Sequence, residues 1–501
     1  MLRIYSPFSM SISFSSHHHP SHAIVIFACG AALFSDGYVN AIAGPANTII
    51  TGYLYPDHPG LTQFSSRFSS LVFAGTVFGM LLFGLLVDRI GRKFGMIFAS
   101  LWLTLWSILI AGAWGANGSV GGLFAALEAY RFLLGIAIGA EYPSGSVAAA
   151  ENTEAPGVNK KRQQMYFTLA TNTMIDLGFV VAAFVPLVLL WIFGMNHLEW
   201  VWRLSLGLGA IPPLSVLFFR FGMQEPEHYR KGAIKRNVPW LLVIKRYWVR
   251  LTAVCLAWFA YDYVSYPAGI YSSLIVNQVI PNSTLYSSFA FSIALNAFYL
   301  PGTFVGALIN DRLGPKKTMI TGLLIQAVLA FIMAGAFHQI RQNTAGFVII
   351  YGLFLSFGEL GPGNNLGLLA SKSCGPSAVR GTFYGIAAAI GKVGAFSGSY
   401  AYPQIQAKLG PEDSDIHYSG TFYIAGGLAI FSAIITFFFI PAVKADGMIE
   451  EDLAFRKYLE ENGYDVSQMG LEGVQDDSAA DAEAGIQKDE TNSIEKKTVA
   501  V

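Results

Sequence analysis

The chain carries one loop motif twice, as Gly84-Leu-Leu-Val-Asp88-Arg89-Ile-Gly91-Arg92-Lys93 and as Asn310-Asp311-Arg312-Leu-Gly314-Pro-Lys316-Lys317. Asp88 and Asp311 are 223 positions apart, and each motif follows the second apolar stretch in a series of six. A motif that recurs at the same place of two similar segments indicates an internal repeat. The sequence therefore predicts two parallel halves, residues 23–223 and 248–444, joined by a basic loop at 224–247.

Apolar stretches long enough to cross a bilayer surround these motifs. A spanning helix needs about 20 mostly apolar residues, and the chain is 53% hydrophobic and 13% charged. The spans have approximate cores at 23–44, 68–87, 96–114, 121–148, 165–193, 200–221, 250–276, 288–309, 318–337, 345–370, 381–402 and 420–442. The pattern predicts an all-α polytopic membrane protein of twelve transmembrane helices in two pseudo-symmetric six-helix halves. The short loops leave no room for a soluble catalytic domain.

The formal net charge of zero is the sum of a basic part, residues 1–444, and an acidic part, residues 445–501. Residues 1–444 hold 27 Lys and Arg against 17 Asp and Glu, whereas residues 445–501 hold 5 against 15. The basic residues concentrate in the loops after spans 2, 4, 6, 8 and 10, and basic loops stay cytoplasmic. Both termini are therefore predicted to be cytoplasmic. Residues 1–22 are predicted to be an N-terminal tail, and residues 445–501 an acidic disordered tail.

Polar residues recur at equivalent depths of the two halves. Asp36 in span 1 and Asp262 in span 7 are 226 positions apart, close to the repeat offset, and Glu141 in span 4 matches Asn364 in span 10. Ionisable groups inside a membrane are costly and therefore mark functional sites. This pairing indicates a binding site at the interface of the halves.

Span 7 places Trp258, Asp262 and Tyr266 at intervals of four residues, so the three side chains line one helix face. Ordinary helix packing is the alternative for the two aromatic residues, and the carboxylate between them favours a site.

Two basic residues within the spans allow more than one interpretation. Arg131 in span 4 can bind an anion, or it can pair with Glu128 or an internal carboxylate, and the pairing is favoured. Lys392 in span 11 is flanked by glycines and far from either end of its helix, so it should face water, a carboxylate or an anionic ligand. A fixed pair of Lys392 with Asp262 or Glu359 remains the alternative.

With these motifs the sequence resembles the major facilitator superfamily. Within it, the resemblance is to the phosphate:proton symporters and especially to the fungal glycerophosphoinositol permeases. The residues that carry it are Ser35-Asp36-Gly37-Tyr38, Gly139-Ala-Glu141-Tyr142-Pro143-Ser-Gly-Ser, Trp258-Phe-Ala-Tyr-Asp262-Tyr-Val-Ser-Tyr266 and Arg380-Gly-Thr-Phe-Tyr-Gly-Ile-Ala-Ala-Ala-Ile-Gly391-Lys392. Glu at 141 and Asn at 172 depart from the phosphate symporters and resemble the glycerophosphodiester branch.

The resemblance implies roles for individual residues. It implies proton coupling at Asp36 and Glu141, and we add Asp262 as a third carboxylate for this role. The positions implied to surround the substrate are Tyr142, Asn172, Trp258, Asp262, Tyr266 and Asn364, with Lys392 nearby. The residues expected to gate the protein or to fix its topology are Gly84, Asp88, Arg89, Gly91, Arg92, Lys93, Arg131, Asp311 and Arg312.

We therefore expect a secondary active transporter that takes up a glycerophosphodiester, such as glycerophosphoinositol or glycerophosphocholine, together with protons by alternating access. The expected setting is a fungal plasma membrane, with the protein acting as a monomer. The alternatives are a phosphate:proton symporter, a sugar or polyol porter, and a nutrient receptor that does not transport. No nucleophile–base pair, metal spacing or phosphate loop appears, so no enzyme activity, cofactor, metal or nucleic-acid partner is expected.

Overall fold

The computed structural model describes residues 22–234, 238–271, 284–411 and 414–469. These residues form helices and connecting turns, without a β-strand among them, so the all-α prediction is confirmed. The twelve long helical runs are α1 Ala23–Leu54, α2 Leu61–Ile90, α3 Arg92–Ala111, α4 Val120–Thr153, α5 Lys160–Phe193, α6 Met195–Gly222, α7 Trp240–Ile270, α8 Leu285–Leu313, α9 Pro315–Gly335, α10 Thr344–Ser373, α11 Arg380–Leu409 and α12 Asp415–Phe439.

Ten of these runs are long and apolar enough to cross a membrane. The other two, α7 and α11, have comparable length but carry Asp262 and Lys392 together with several tyrosines and small polar residues. Their lower hydropathy follows from their position, because both helices contribute to an internal polar cavity. Residues 272–276 of the predicted seventh span lie outside the described residues.

Glycines bring helices into backbone contact in the same way in both halves. A Cβ atom added at Gly79 of α2 would overlap the carbonyl oxygen of Ile136 on α4. Gly302 of α8, 223 positions later, meets the carbonyl oxygen of Ser356 on α10 in the same manner. Small residues at such interfaces let membrane helices approach closely. The repeat seen in the loop motifs therefore extends to the packing of the helices.

Three of the helical runs are interrupted where they border the cavity. α4 and α10 contain π-helical turns at Tyr142–Ser146 and Glu359–Gly363, and each turn contains a proline. α5 breaks at Thr171, whose φ of −113° and ψ of −81° are not helical. Such interruptions redirect side chains and free backbone groups, and membrane proteins tolerate them where they face a cavity.

The chain between the halves contains more helix than predicted. The linker expected at 224–247 includes a short helix, Glu227–Gly232, and α7 already begins at Trp240. Residues 235–237 lie outside the described residues. The basic residues of the second part of this segment therefore belong to an extension of α7 rather than to a loop.

The prediction of a disordered tail from residue 445 onward is wrong for its first part. Residues Gly447–Glu461 form a helix, α13, whose Met448, Phe455 and Leu459 are buried. These apolar residues share one face, and the prediction missed them because it averaged composition over the whole acidic segment. Residues 1–21 and 470–501, which the tail predictions also cover, lie outside the described residues.

Candidate functional site

A cavity of about 60 Å³ lies between the two halves. Its wall contains all seven residues predicted for the substrate site: Tyr142, Asn172, Trp258, Asp262, Tyr266, Asn364 and Lys392. They come from five different helices, so the tertiary structure brings together what the sequence keeps far apart. The wall also contains residues that the sequence analysis did not assign to the site, namely Asp176, Tyr261, Tyr299, Glu359 and Tyr384. That the seven residues bind substrate stays a prediction.

The ammonium of Lys392 lies among polar groups from both halves and is 1% exposed. Its Nζ donates to the hydroxyl of Tyr266 and lies 3.6 Å from Asp262 Oδ2 and 3.8 Å from Asp36 Oδ2. These two distances exceed those of good hydrogen bonds, and Asp262 Oδ2 has no hydrogen-bond partner among the described residues. The Lys392–Asp262 pair expected as an alternative is therefore present, but its geometry leaves room for another ligand.

The glycines around Lys392 have a packing role. A Cβ atom at Gly391 would overlap the Trp258 ring, and one at Gly394 would overlap the carbonyl oxygen of Phe259. These two positions let α11 lie directly against α7. The close contact fixes Lys392 beside Asp262 and keeps its side chain from reaching toward the membrane surface.

Asp36 is connected to the cavity through Tyr142. The Tyr142 hydroxyl donates to Asp36 Oδ2, and Asn40 Nδ2 donates to Asp36 Oδ1 at 2.6 Å. The centroid of the same tyrosine ring is 5.1 Å from the Nζ of Lys392. Asp36, Tyr142 and Lys392 thus form one connected polar group.

Glu141 is the predicted proton-coupling residue that has no link to this cavity, because its carboxylate is bound by an arginine. Arg220 of α6 binds it in a bidentate ion pair, with Nη1 2.7 Å from Oε2. Arg220 also donates to the carbonyl oxygens of Met96 and Cys29. Glu141 and Asp36 instead border a second cavity of about 10 Å³. Proton coupling at Glu141 stays a prediction, and it requires that Arg220 release the carboxylate.

Arg220 is the functional-site candidate that sequence reasoning missed. It stands at the end of the predicted span 200–221, next to the basic residues of the following loop, yet it is 0% exposed. The sequence signal that marks Arg220 as a candidate is its position between aromatic residues, in Phe218-Phe-Arg220-Phe. Sequence alone does not show that this side chain turns inward to α4.

Arg131 does not make the favoured ion pair. Its Nε donates to the carbonyl oxygen of Phe68 at 3.1 Å, Nη1 donates to the carbonyl oxygen of Val39, and Nη2 has no partner among the described residues. Glu128 pairs instead with Arg67, at 3.3 Å. The expectation fails because backbone carbonyl groups of α1 and α2 lie closer to Arg131 than any carboxylate of the described residues.

The first loop motif joins the halves at one end of the bundle, which we call the loop-motif end. Asp88 accepts hydrogen bonds from the backbone N–H groups of Gly381 and Thr382 at the start of α11, at 2.9 and 2.7 Å. The Thr382 hydroxyl and Arg92 Nη1 add two further donors, at 2.6 and 2.9 Å. A carboxylate at a helix N-terminus is stabilised by the exposed N–H groups and the helix dipole.

The second motif repeats the arrangement with the halves exchanged. Asp311 of α8 accepts hydrogen bonds from the backbone N–H groups of Gln164 and Met165 at the start of α5, at 3.0 and 2.9 Å. Each motif aspartate therefore holds the first turn of a helix in the opposite half. These contacts fit the gating role predicted for the motifs, which stays a prediction.

The other motif residues support these contacts or face solvent. Gly84 lies against α11, and Gly91 ends α2 with a φ of +128°, which favours glycine. Lys93 Nζ donates to a backbone carbonyl of α6 at 2.7 Å. Arg89 and Arg312 are exposed.

Helix α13 is attached to the loop-motif end. Asp452 accepts hydrogen bonds from the backbone N–H and the hydroxyl of Ser377 at 2.7 and 2.6 Å, and it lies 3.4 Å from Arg380 and 3.5 Å from His228. Burial alone would raise the pKa of Asp452, but Arg380 and His228 outweigh it and lower that pKa to about 2. The helix is thereby held to both the linker and the second half.

Glu154 at the end of α4 connects α13 to the first half. It accepts a hydrogen bond from the backbone N–H of Met448 at 3.0 Å, within the first turn of α13. It also forms a buried ion pair with Lys372 of α10, at 2.8 Å. Both halves and α13 therefore meet at one buried carboxylate.

The comparisons with known proteins agree with this architecture. The chain matches the family model of the sugar (and other) transporters over residues 22–230 and 222–455. It is 45% identical to the glycerophosphocholine permease GIT4 of Candida albicans, over 94% of this chain and 89% of the permease. It is 44% identical to the major glycerophosphoinositol permease GIT3 of the same organism, over 89% of this chain and 84% of that protein. Its structure is similar to that of the proton:xylose symporter XylE, with a TM-score of 0.71 over 87% of this chain and 98% of the symporter, at 16% identity.

The chain belongs to the sugar (and other) transporter family of the major facilitator superfamily, and it is a multi-pass membrane transporter rather than an enzyme. Among the relatives of this chain are fungal permeases for glycerophosphodiesters, which confirms the predicted resemblance. The likeness to the xylose symporter shows the shared fold.

Proposed function

We propose that the protein takes up a glycerophosphodiester together with protons by alternating access. The observation that carries the proposal is the balance of charged groups in the central cavity. Lys392 is the one cation among its described lining residues, whereas Asp176, Asp262 and Glu359 line it and Asp36 lies behind it. If all four carboxyl groups were ionised, the cavity would repel a phosphodiester monoanion. Anion binding therefore requires that protons neutralise some of these carboxyl groups.

The proposed binding mode uses the loose contacts of Lys392. Once Asp36 and Asp262 are protonated, the ammonium is free to bind the phosphoryl oxygens, and the hydroxyls of Tyr142 and Tyr266 donate further hydrogen bonds. Charge-assisted hydrogen bonds of this kind are roughly twice as strong as neutral ones. The remaining predicted binding residues, which supply amide groups and an aromatic wall, are Asn172, Trp258 and Asn364.

Alternating access is supported by the closed state of the cavity. Its volume of about 60 Å³ is far below the roughly 300 Å³ or more of most ligand pockets. The halves are joined at the loop-motif end through Asp88 and Asp311. Since basic loops stay cytoplasmic, we place this end, both termini and α13 in the cytoplasm. Release of substrate inward then requires both aspartates to leave their helix N-termini.

Proton coupling also fits the energetics of uptake by a monomer in a fungal plasma membrane. Moving one negative charge inward against an inside-negative potential costs about 2.3 kcal/mol per 100 mV. One co-transported proton cancels this cost, and a second lets the potential drive uptake. The proposed coupling carboxylates Asp36, Glu141 and Asp262 suffice for either stoichiometry. The names of the relatives support the substrate class, since they include glycerophosphocholine and glycerophosphoinositol.

The test is uptake of labelled glycerophosphocholine and glycerophosphoinositol in cells that express the protein, with and without a protonophore. We expect uptake of at least one compound, and its loss when the pH gradient collapses. Competition with inorganic phosphate and with free inositol or xylose separates the phosphate and the sugar or polyol alternatives. Uptake that persists without a pH gradient contradicts the coupling, and the absence of any uptake favours a receptor.

A further inference from the structure

Two carboxyl groups from opposite halves meet in the wall of the central cavity. Asp176 belongs to α5 and Glu359 to α10, and Asn172 Nδ2 donates to both, at 3.3 Å to Asp176 Oδ2 and 2.9 Å to Glu359 Oε2. One amide nitrogen therefore joins the two carboxyl groups and places them side by side in the cavity wall. Neither residue is among the predicted substrate-binding or proton-coupling residues.

The pair is buried, and no cation of the described residues contacts it directly. Asp176 is 3% and Glu359 6% exposed, and in the described parts of the chain no Lys, Arg or His nitrogen lies within 4 Å of either carboxyl group. Two ionised carboxylates that share one amide donor in a buried site repel each other, so protonation of one of them stabilises this arrangement. The ionisable groups that face the pair from the other helices are Tyr261 and Asp262, Tyr266, Tyr299 and Lys392.

The local backbone is built to present Glu359 at this point. Glu359 opens the π-helical turn of α10, and a Cβ atom at Gly363 would overlap its Oε2. Glycine at 363 therefore makes room for the carboxyl group within its own helix. The hydroxyl of Tyr261 donates to Glu359 Oε1 at 2.8 Å, which fixes the other oxygen.

We propose that Asp176 and Glu359 form a proton-binding site that the two halves share. The proton lies between one oxygen of each carboxyl group, as O–H···O⁻, and it holds the halves together at the level of the cavity. Loss of this proton to water leaves two repelling carboxylates, which favours separation of the halves. Protonation is thereby linked to the conformational change itself, an inference that rests on the proton coupling proposed above.

The experiment compares two modes of transport by the full-length protein in proteoliposomes. The variant Glu359→Gln keeps the size of the side chain and one of its two acceptor oxygens, but it removes the exchangeable proton. We expect it to lower accumulation of labelled glycerophosphocholine driven by a pH gradient about tenfold or more, and to lower counterflow exchange, which needs no net proton movement, by a smaller factor. Asp176→Asn should behave in the same way and replaces Glu359→Gln if that variant does not fold.

Infrared spectroscopy gives a second readout that does not depend on transport. The carbonyl band of a protonated carboxylic acid should be present in the native protein near neutral pH and weaker in both variants. Glu128→Gln is the matched control, because Glu128 is also a glutamate of a spanning helix but pairs with the exposed Arg67.

The outcomes distinguish the two proposals. Native protein that accumulates no substrate under a pH gradient contradicts the proposed function itself. Native protein that accumulates substrate, with both variants accumulating it equally well, overturns only the shared proton site. Variants that lose glycerophosphocholine but still accumulate glycerophosphoinositol also overturn it, because the pair then recognises the cationic choline group.

Discussion

The carboxyl groups of the central cavity and those of the loop-motif end differ in how completely they are hydrogen-bonded. At the loop-motif end, Asp88 accepts hydrogen bonds from four donors, among them two backbone N–H groups and Arg92. In the cavity, Asp262 Oδ2 has no hydrogen-bond partner in the described structure. Asp176 and Glu359 share the Asn172 donor, and no described Lys, Arg or His nitrogen lies within 4 Å of either carboxyl group.

This difference indicates two roles for buried carboxyl groups: some fix the surrounding helices, and others exchange protons. A buried carboxylate with its donors in place is stable as an anion and fixes the elements around it. A buried carboxyl group that lacks donors is stabilised by binding a proton or a ligand. The loop-motif end is therefore suited to keep the halves closed, and the cavity to bind and release protons and an anion. The predictions below test this division.

The largest effect on stability is expected for Glu141→Gln. Although Glu141 lies within the membrane, its carboxylate has its donors in place through the bidentate pair with Arg220, as Asp88 has at the loop-motif end. Removing one partner leaves a buried unpaired charge, which costs about 3–5 kcal/mol. Thermal unfolding of the purified protein should show a large loss for Glu141→Gln and a smaller one for Glu359→Gln. Equal losses of stability in the two variants would contradict the distinction between paired and unpaired carboxyl groups. Intact stability of Glu141→Gln with loss of proton-coupled uptake would support proton transfer at Glu141.

Lys392→Ala should have the largest effect on transport. It removes the one cation of the described cavity wall, and hydrogen bonds to charged groups contribute about 1.5–3 kcal/mol, so uptake should fall roughly 10- to 150-fold. The measurement is the initial rate of labelled glycerophosphocholine uptake at matched surface expression. The exposed loop-motif lysine Lys317 provides the control variant Lys317→Ala. A native rate in Lys392→Ala would favour a sugar or polyol porter.

Asp88→Asn should loosen the loop-motif end more than Asp311→Asn does. Asp88 binds four donors, whereas two backbone donors bind Asp311, and each lost charge-assisted bond costs about 1–3 kcal/mol. A cysteine at the buried Val379, in a background without the native cysteines, reports opening through its alkylation rate. The rate should rise most with Asp88→Asn. The reverse order would show that donor number does not determine closure.

The smallest effect concerns the attachment of α13. Since the pKa of Asp452 is lowered to about 2 from a usual 3.8, its ionised form stabilises the attached helix above about pH 4 and loses this effect as the pH falls through the lowered pKa. Tryptic cleavage at Lys457 is therefore compared at pH 8, where Asp452 is ionised. Asp452→Asn should raise the cleavage rate modestly, because a partly exposed ion pair contributes about 1 kcal/mol or less to the attachment of α13. Cleavage unchanged by this substitution would mean that α13 is held by its apolar face alone.

Much of the site could be predicted because it lies on the repeat. Asp36, Asp262, Asn364 and Lys392 are polar residues in apolar helices, and the membrane makes such residues conspicuous. The residues that were misassigned or missed all depend on partners from other helices. Arg220 lies beside a basic loop in the sequence but pairs with Glu141 on another helix. Arg131 binds backbone carbonyl groups rather than a carboxylate. The apolar face of α13 lies within a segment whose overall composition is acidic.

The sequence by itself determined the number and order of the spanning helices, the repeat and the identity of the intramembrane polar residues. These properties are local, since hydropathy and spacing act along the chain. Only the tertiary structure decided which carboxylate is neutralised by an arginine, which is bound by a helix N-terminus and which is left to share a proton. That decision depends on donors 79 to 294 residues away in the sequence, because the pairing of a buried charge is set by the groups that pack against it.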